Sequence, residues 1–97
     1  MKTYYVYILS CSDGSYYTGV TSNLSKRLED HEHRRYLNSY TSTRLPVKLV
    51  YYCTFTEVLK AIETEKQIKK WSRAKKEALI NEEYDLLPNL AKKDFRR

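Results

Sequence analysis

The run Tyr4-Tyr5-Val6-Tyr7-Ile8-Leu9 is unbroken aromatic, β-branched or aliphatic, which is the pattern of a strand buried on both faces. Ser12-Asp13-Gly14-Ser15 comes next with turn residues, and Asp-Gly favours a tight hairpin. The return run Tyr16-Tyr17-Thr18-Gly19-Val20 is again β-prone. Strand residues alternate faces, so Tyr5 and Tyr7 share one face, as do Tyr17 and Gly19 on the return strand. A ribbon of this kind can set two phenols side by side. Gly19 is one of only two glycines, and inside a strand a glycine marks a bulge or a close approach by another group. Taken alone, a Tyr-rich hairpin is most often core and rim of a sheet.

Asn23 is a good N-cap for a helix from Leu24 to about Tyr36. Leu24 and Leu28, four apart, are expected to face the sheet, with Arg27 and His31 stacked on a neighbouring face. Residues 37–44 are polar and hydroxyl-rich and read as a loop, and Pro46 favours an extended entry into the next segment. Lys48 to Phe55 is a third strand. Thr56-Glu57 can cap a second helix to about Trp71, with Val58, Leu59, Ala61, Ile62 and Ile68 as its apolar face. Ser72 caps a third helix to about Glu83, with Ala78, Leu79 and Tyr84 inward. The order is strand, strand, helix, strand, helix, helix. It predicts an α+β domain: a small three-stranded antiparallel sheet flanked by helices.

Ninety-seven residues make one domain. We place its folded part at residues 1–84 and a short basic C-terminal tail at 85–97. Eighteen Lys and Arg against 12 Asp and Glu give a net charge of +6. That balance points to a polyanionic partner such as nucleic acid. The two cysteines, Cys11 and Cys53, are too few for a disulfide scaffold, and the start of the chain has no signal-peptide pattern, so a cytoplasmic protein with reduced thiols is expected. The His and Cys residues lack zinc-ligand spacing. No apolar run is long enough to span a membrane.

On a helical wheel Glu65 falls near the centre of the second helix's apolar face. A carboxylate there costs free energy unless it is paired or metal-bound. The readings are an ion pair with Lys66, Lys69 or Arg27, a helix rotated slightly from the wheel, or a metal. The run from Lys66 to Lys76 holds Lys66, Lys69, Lys70, Arg73, Lys75 and Lys76 and no acid. It is either a solvated face or a track for a phosphate backbone. Trp71 within it is expected to anchor the core rather than stack on a base.

The chain resembles the GIY-YIG nuclease family. Tyr5-Val6-Tyr7 stands where that family has Gly-Ile-Tyr, and Tyr17-Thr18-Gly19 stands where it has Tyr-Ile-Gly. The likeness continues through Asn23, Arg27 and His31, through Leu45 to Tyr51, and through Glu65 and Lys69 to Lys76. It covers most of the chain to about Ile80 and is strongest to small single-domain members. The resemblance implies endonucleolytic hydrolysis of phosphodiester bonds in DNA, structure-specific or non-specific, in repair or recombination. It implies Tyr7, Tyr17, Arg27, His31 and Glu65 as the catalytic set, with Glu65 binding Mg²⁺ or Mn²⁺. One carboxylate is thin ligation, which suits an ion that keeps several waters. Arg27 is the expected charge clamp, since a guanidinium fork fits a phosphate. Tyr7, with a reference pKa of about 10, is a poor base unless a group such as His31, at about 6.5, takes its proton. Tyr17 then orients phosphate or water; which phenol is the base varies among relatives.

Three departures stand out. Tyr5 replaces the first glycine, Thr18 replaces isoleucine, and Val20 stands where some relatives carry a lysine. The alternative reading is a nucleic-acid-binding module on the same fold with weak or lost cleavage. A third is a protein that works only inside a larger assembly. A monomer is the simplest expectation, and the sequence leaves oligomeric state open.

Overall fold

The computed structural model describes residues 2–32 and 44–82. The central element is the strand that the sequence marks most strongly. β1 (Tyr4–Ser10) lies between β2 (Tyr16–Thr21) and β3 (Lys48–Phe55), antiparallel to both. Val6, Tyr7, Ile8 and Leu9 are all buried, as an uninterrupted apolar run requires when both faces are covered. The register pairs Tyr7 with Gly19 on one side and Tyr52 on the other. An irregularity between Ile8 and Leu9 leaves Val50 as an extra residue on β3.

The two faces do different work. Val6 and Ile8 join Tyr51, Cys53 and Phe55 in a core with Ala61 and Ile68 of α2 (Val58–Lys70) and Ala78 and Leu79 of α3 (Arg73–Ile80). On the other face, Tyr5, Tyr7 and Leu9 alternate with them, and α1 (Leu24–Glu32) brings His31 onto Tyr7. This is the three-stranded α+β architecture expected from the sequence.

Two of the three expected caps form. Asn23 Oδ1 accepts from the Lys26 N–H at 3.1 Å, and Ser72 Oγ accepts from the Lys75 N–H at 3.3 Å. At α2 the cap position falls to Glu57, whose side chain makes no cap bond. The hairpin turn is held by Asp13, which accepts from the Ser15 N–H at 3.0 Å and from Arg44 Nε at 3.0 Å. The Arg44 carbonyl accepts from the Ser12 N–H, so the approach to β3 is tied to the same turn. Arg73 donates to the Gly14 carbonyl and lies 4.7 Å from the centre of the Tyr16 ring.

The apolar face of α2 differs from the expectation. Its buried residues are Ala61, Thr64, Glu65 and Ile68, a clean i, i+3, i+4, i+7 stripe. Val58 and Leu59 are exposed; both lie in the first turn, and apolar type alone does not bring a side chain to the sheet. Leu24 and Leu28 of α1 are half-buried and line an open groove of about 450 Å³ with Tyr5, Leu49 and Tyr52, whereas the helix buries Asp30 and His31. Trp71 is half-buried and packs on the core. Cys11 and Cys53 are buried thiols that are not joined in a disulfide. Among the described residues no helix is long and apolar enough to cross a membrane. The expected continuation of the first helix beyond Glu32, His33, the polar loop up to residue 43, the expected end of the third helix, Tyr84 and the tail 85–97 lie outside the described residues.

Candidate active site

Gly19 decides where Tyr7 can go. The two are register partners on one face, and a Cβ built on Gly19 would lie 2.5 Å from the Tyr7 hydroxyl and 2.6 Å from its Cζ. The ring therefore lies across the glycine, and the close approach that a strand glycine signals is made by a phenol of the neighbouring strand. Tyr17, two residues earlier on the same face of β2, has its ring centre 6.3 Å from that of Tyr7. The hairpin does set two phenols side by side.

α1 closes over them with His31. Its Nε2 is 3.1 Å from the Tyr7 hydroxyl. Its ring centre is 6.1 Å from Tyr7 and 5.3 Å from Tyr17, both edge-on. Tyr7 and His31 are almost completely buried, at 1% and 2% exposure, and Tyr17 is half-buried. Burial pushes the imidazole pKa below its ordinary value, the Arg27 guanidinium pushes it further down, and Asp30 opposes both. At neutral pH the ring is then uncharged, and with its proton on Nδ1 it can accept the Tyr7 proton at Nε2.

The lowered imidazole pKa also bears on stability. The native protein takes up a proton at His31 less readily than the unfolded chain. The contribution of the neutral ring is fully present above the unfolded value near 6.5, and it is lost as the pH falls from there through the lower folded value. Urea midpoints measured between pH 8 and pH 5 are expected to hold level and then fall below about pH 6.5. A His31→Gln chain should show a shallower decline over that window; an identical decline would place the titrating group elsewhere.

Glu65 is buried near the centre of the inward stripe of α2, as the wheel places it. Its Oε2 is 2.6 Å from the ammonium of Lys69, one turn on, and that ammonium lies 5.9 Å from the centre of the Tyr17 ring. The carboxylate therefore reaches the phenols through Lys69. Of the alternatives open from the sequence, the ion pair is made, and with Lys69. A lysine in a six-residue basic run gives no sequence signal that sets it apart; only the burial of its i−4 neighbour does. Asp30, buried beside His31 and 3.8 Å from Lys26, is a residue that sequence reasoning passed over.

Among the described residues no group of three or more His, Cys, Asp or Glu could cage a metal. A single buried carboxylate is nevertheless a fit for a hard, well-hydrated divalent ion. In this structure one of its oxygens carries the Lys69 ammonium. Arg27 is half-buried on α1, one turn before His31, close enough for its charge to act on the imidazole. Of the basic run, Lys66, Lys69, Lys70, Arg73 and Lys75 are exposed and Lys76 is half-buried. Arg73 is engaged by Glu77, the Gly14 carbonyl and Tyr16, so it braces the hairpin against α3. Burial, and then the charge of Lys69, push the Lys76 ammonium below its ordinary pKa.

Comparison with known proteins fits this geometry. The chain is 46% identical to a UPF0213 protein of Syntrophus aciditrophicus over 82 residues, covering 84% of this chain and 94% of that one. It is 42% identical to a UPF0213 protein of Natronomonas pharaonis, covering 82% and 93%. The solution structure of a UPF0213 protein from Bacillus halodurans matches with a TM-score of 0.54 at 39% identity, over 81% of this chain and 83% of that one. That of a protein from E. faecalis matches with a TM-score of 0.59 at 30% identity, over 91% and 93%. The GIY-YIG catalytic domain model matches residues 3–78, a span that holds both phenols, the imidazole and the buried carboxylate, and the chain belongs to that nuclease family.

Proposed function

We propose that this protein is a divalent-metal-dependent endonuclease that hydrolyses phosphodiester bonds in DNA. The observation that carries the reading is the Tyr7–His31 hydrogen bond beside the Tyr17 ring, with Glu65 joined to the same cluster through Lys69. Neutral His31 draws the Tyr7 proton, and the Tyr7 oxygen takes a proton from the attacking water. Tyr17, the half-buried phenol, orients water or phosphate. Arg27 neutralises charge developing on the phosphate. Glu65 holds Mg²⁺ or Mn²⁺, which when bound supplies Lewis-acid stabilisation of a non-bridging oxygen. Lys66, Lys70, Lys75 and Lys76 track the backbone, with binding that weakens as salt rises.

The second reading, a DNA-binding module with weak cleavage, draws on one observation. Tyr7 and His31 are nearly closed to solvent and Glu65 is already paired. A panel of duplex, flap, junction and single-stranded DNA with Mg²⁺, Mn²⁺ or EDTA decides between them. Metal-dependent cleavage by the purified chain is the expected result. Binding without cleavage of any substrate supports the second reading. Preference for the branched arms would support a place in repair or recombination, which is part of the same proposal.

A further inference from the structure

The pair between Glu65 and Lys69 is unequal. The carboxylate side chain is 10% exposed and the lysine side chain 50%. A carboxylate so far from water needs a cation, whereas an ammonium half in water does not need a carboxylate. A divalent ion that binds Glu65 competes with that ammonium for the carboxylate charge. The lysine stem is long and jointed, and the Lys69 charge already lies over the Tyr17 ring. Lys76 of α3, half-buried, stands near enough for the two ammonium charges to act on one another. A metal ion added to this corner raises a positive potential that only an anion relieves. A phosphodiester laid against Tyr17 brings that anion.

We propose that Lys69 is an internal counter-ion: it holds the Glu65 carboxylate in the metal-free protein and, once displaced by the metal, becomes a phosphate contact beside Tyr17. Metal and DNA then each strengthen the binding of the other, by the same factor in both directions. This rests on Glu65 as the metal ligand.

The test is Mn²⁺ binding to the full chain without DNA, followed by the electron-spin signal of free Mn²⁺. Lys69→Met protein is expected to bind Mn²⁺ about two- to fivefold more tightly than the natural chain, the size of a partly exposed ion pair. Lys69→Arg, which keeps the pair, should stay near the natural affinity. Lys69→Gln is a second neutral variant, and circular dichroism checks that each folds. In a Tyr7→Phe background, which holds DNA uncut, saturating Mn²⁺ should tighten flap-DNA binding by a factor about two- to fivefold larger with Lys69 than with Met. Equal Mn²⁺ affinity and equal coupling in the two chains would overturn the counter-ion role while leaving the nuclease reading intact. Mn²⁺ binding that is unchanged by Glu65→Gln, or undetectable in every chain, overturns the ligand assignment, and the counter-ion role falls with it.

Discussion

Glu65→Gln protein is expected to bind DNA in EDTA as the natural chain does and, with Mg²⁺ present, to cleave it about 10³-fold more slowly, the upper end of what loss of one electrostatic stabiliser costs. The substitution keeps the shape of a side chain that is 10% exposed and removes only its charge. Lys69, half in water, loses a partner without being stranded, so the melting temperature should move little; a partly exposed pair is worth about 1 kcal/mol or less. DNA affinity should hold or rise slightly, because one negative charge has left a basic surface. Single-turnover cleavage, fluorescence anisotropy and thermal melting separate the three quantities. Cleavage at the natural rate would show that the metal ligand is another group, or that the activity belongs to a contaminant.

Gly19→Ala is expected to damage both fold and chemistry. The new methyl would lie 2.5–2.6 Å from the end of the Tyr7 ring. That ring is rigid, 1% exposed and hydrogen-bonded to His31, so it cannot step aside as the tip of a lysine would. Overpacking of this kind costs about 1–3 kcal/mol, and in a domain this small each kcal/mol lowers the melting temperature by about 4–8 °C. Whatever shift relieves the clash moves the Tyr7 hydroxyl off His31. Cleavage should therefore fall by about 10²-fold or more, the contribution of a positioned base. Gly14→Ala is the control. Gly14 has a φ of +85° and nothing within 4 Å of its missing Cβ, so the cost there is backbone strain at a turn remote from the phenols, and the remaining folded protein should cleave normally. Gly19→Ala protein with a natural melting temperature and cleavage rate would mean that Tyr7 does not lie across Gly19.

Much of this was legible before any coordinates. Alternation along two short strands placed Tyr7, Tyr17 and Gly19 on shared faces, and the bounds of β3 came from one apolar run. Asn23 and Ser72 announced their helices because a cap needs a particular side chain at a particular place. The wheel found Glu65 because a charge within an apolar stripe stands out. It misjudged Val58 and Leu59 because it scores residue type, whereas burial depends on where the sheet lies beneath the helix; Ala61, which it named, and the small Thr64, which it did not, make the contact. Lys69 was hidden in its run for a related reason. Six cations in eleven residues look alike until one of them is seen against a carboxylate and a phenol. The burial of Tyr7 followed from its place in an unbroken apolar strand, but that of His31 was out of reach, since it depends on how α1 lies over the sheet.

The division of β1 into two faces limits how the gene can drift. Tyr5, Tyr7 and Leu9 serve one side and Val6 and Ile8 the other, so a single codon gained or lost inside the strand would exchange chemistry for core in one step. Length changes are tolerated only where this alternation is not counted, such as the turn around Gly14. An indel within the strand is expected to survive only where a bulge restores the alternation, as β3 does at Val50.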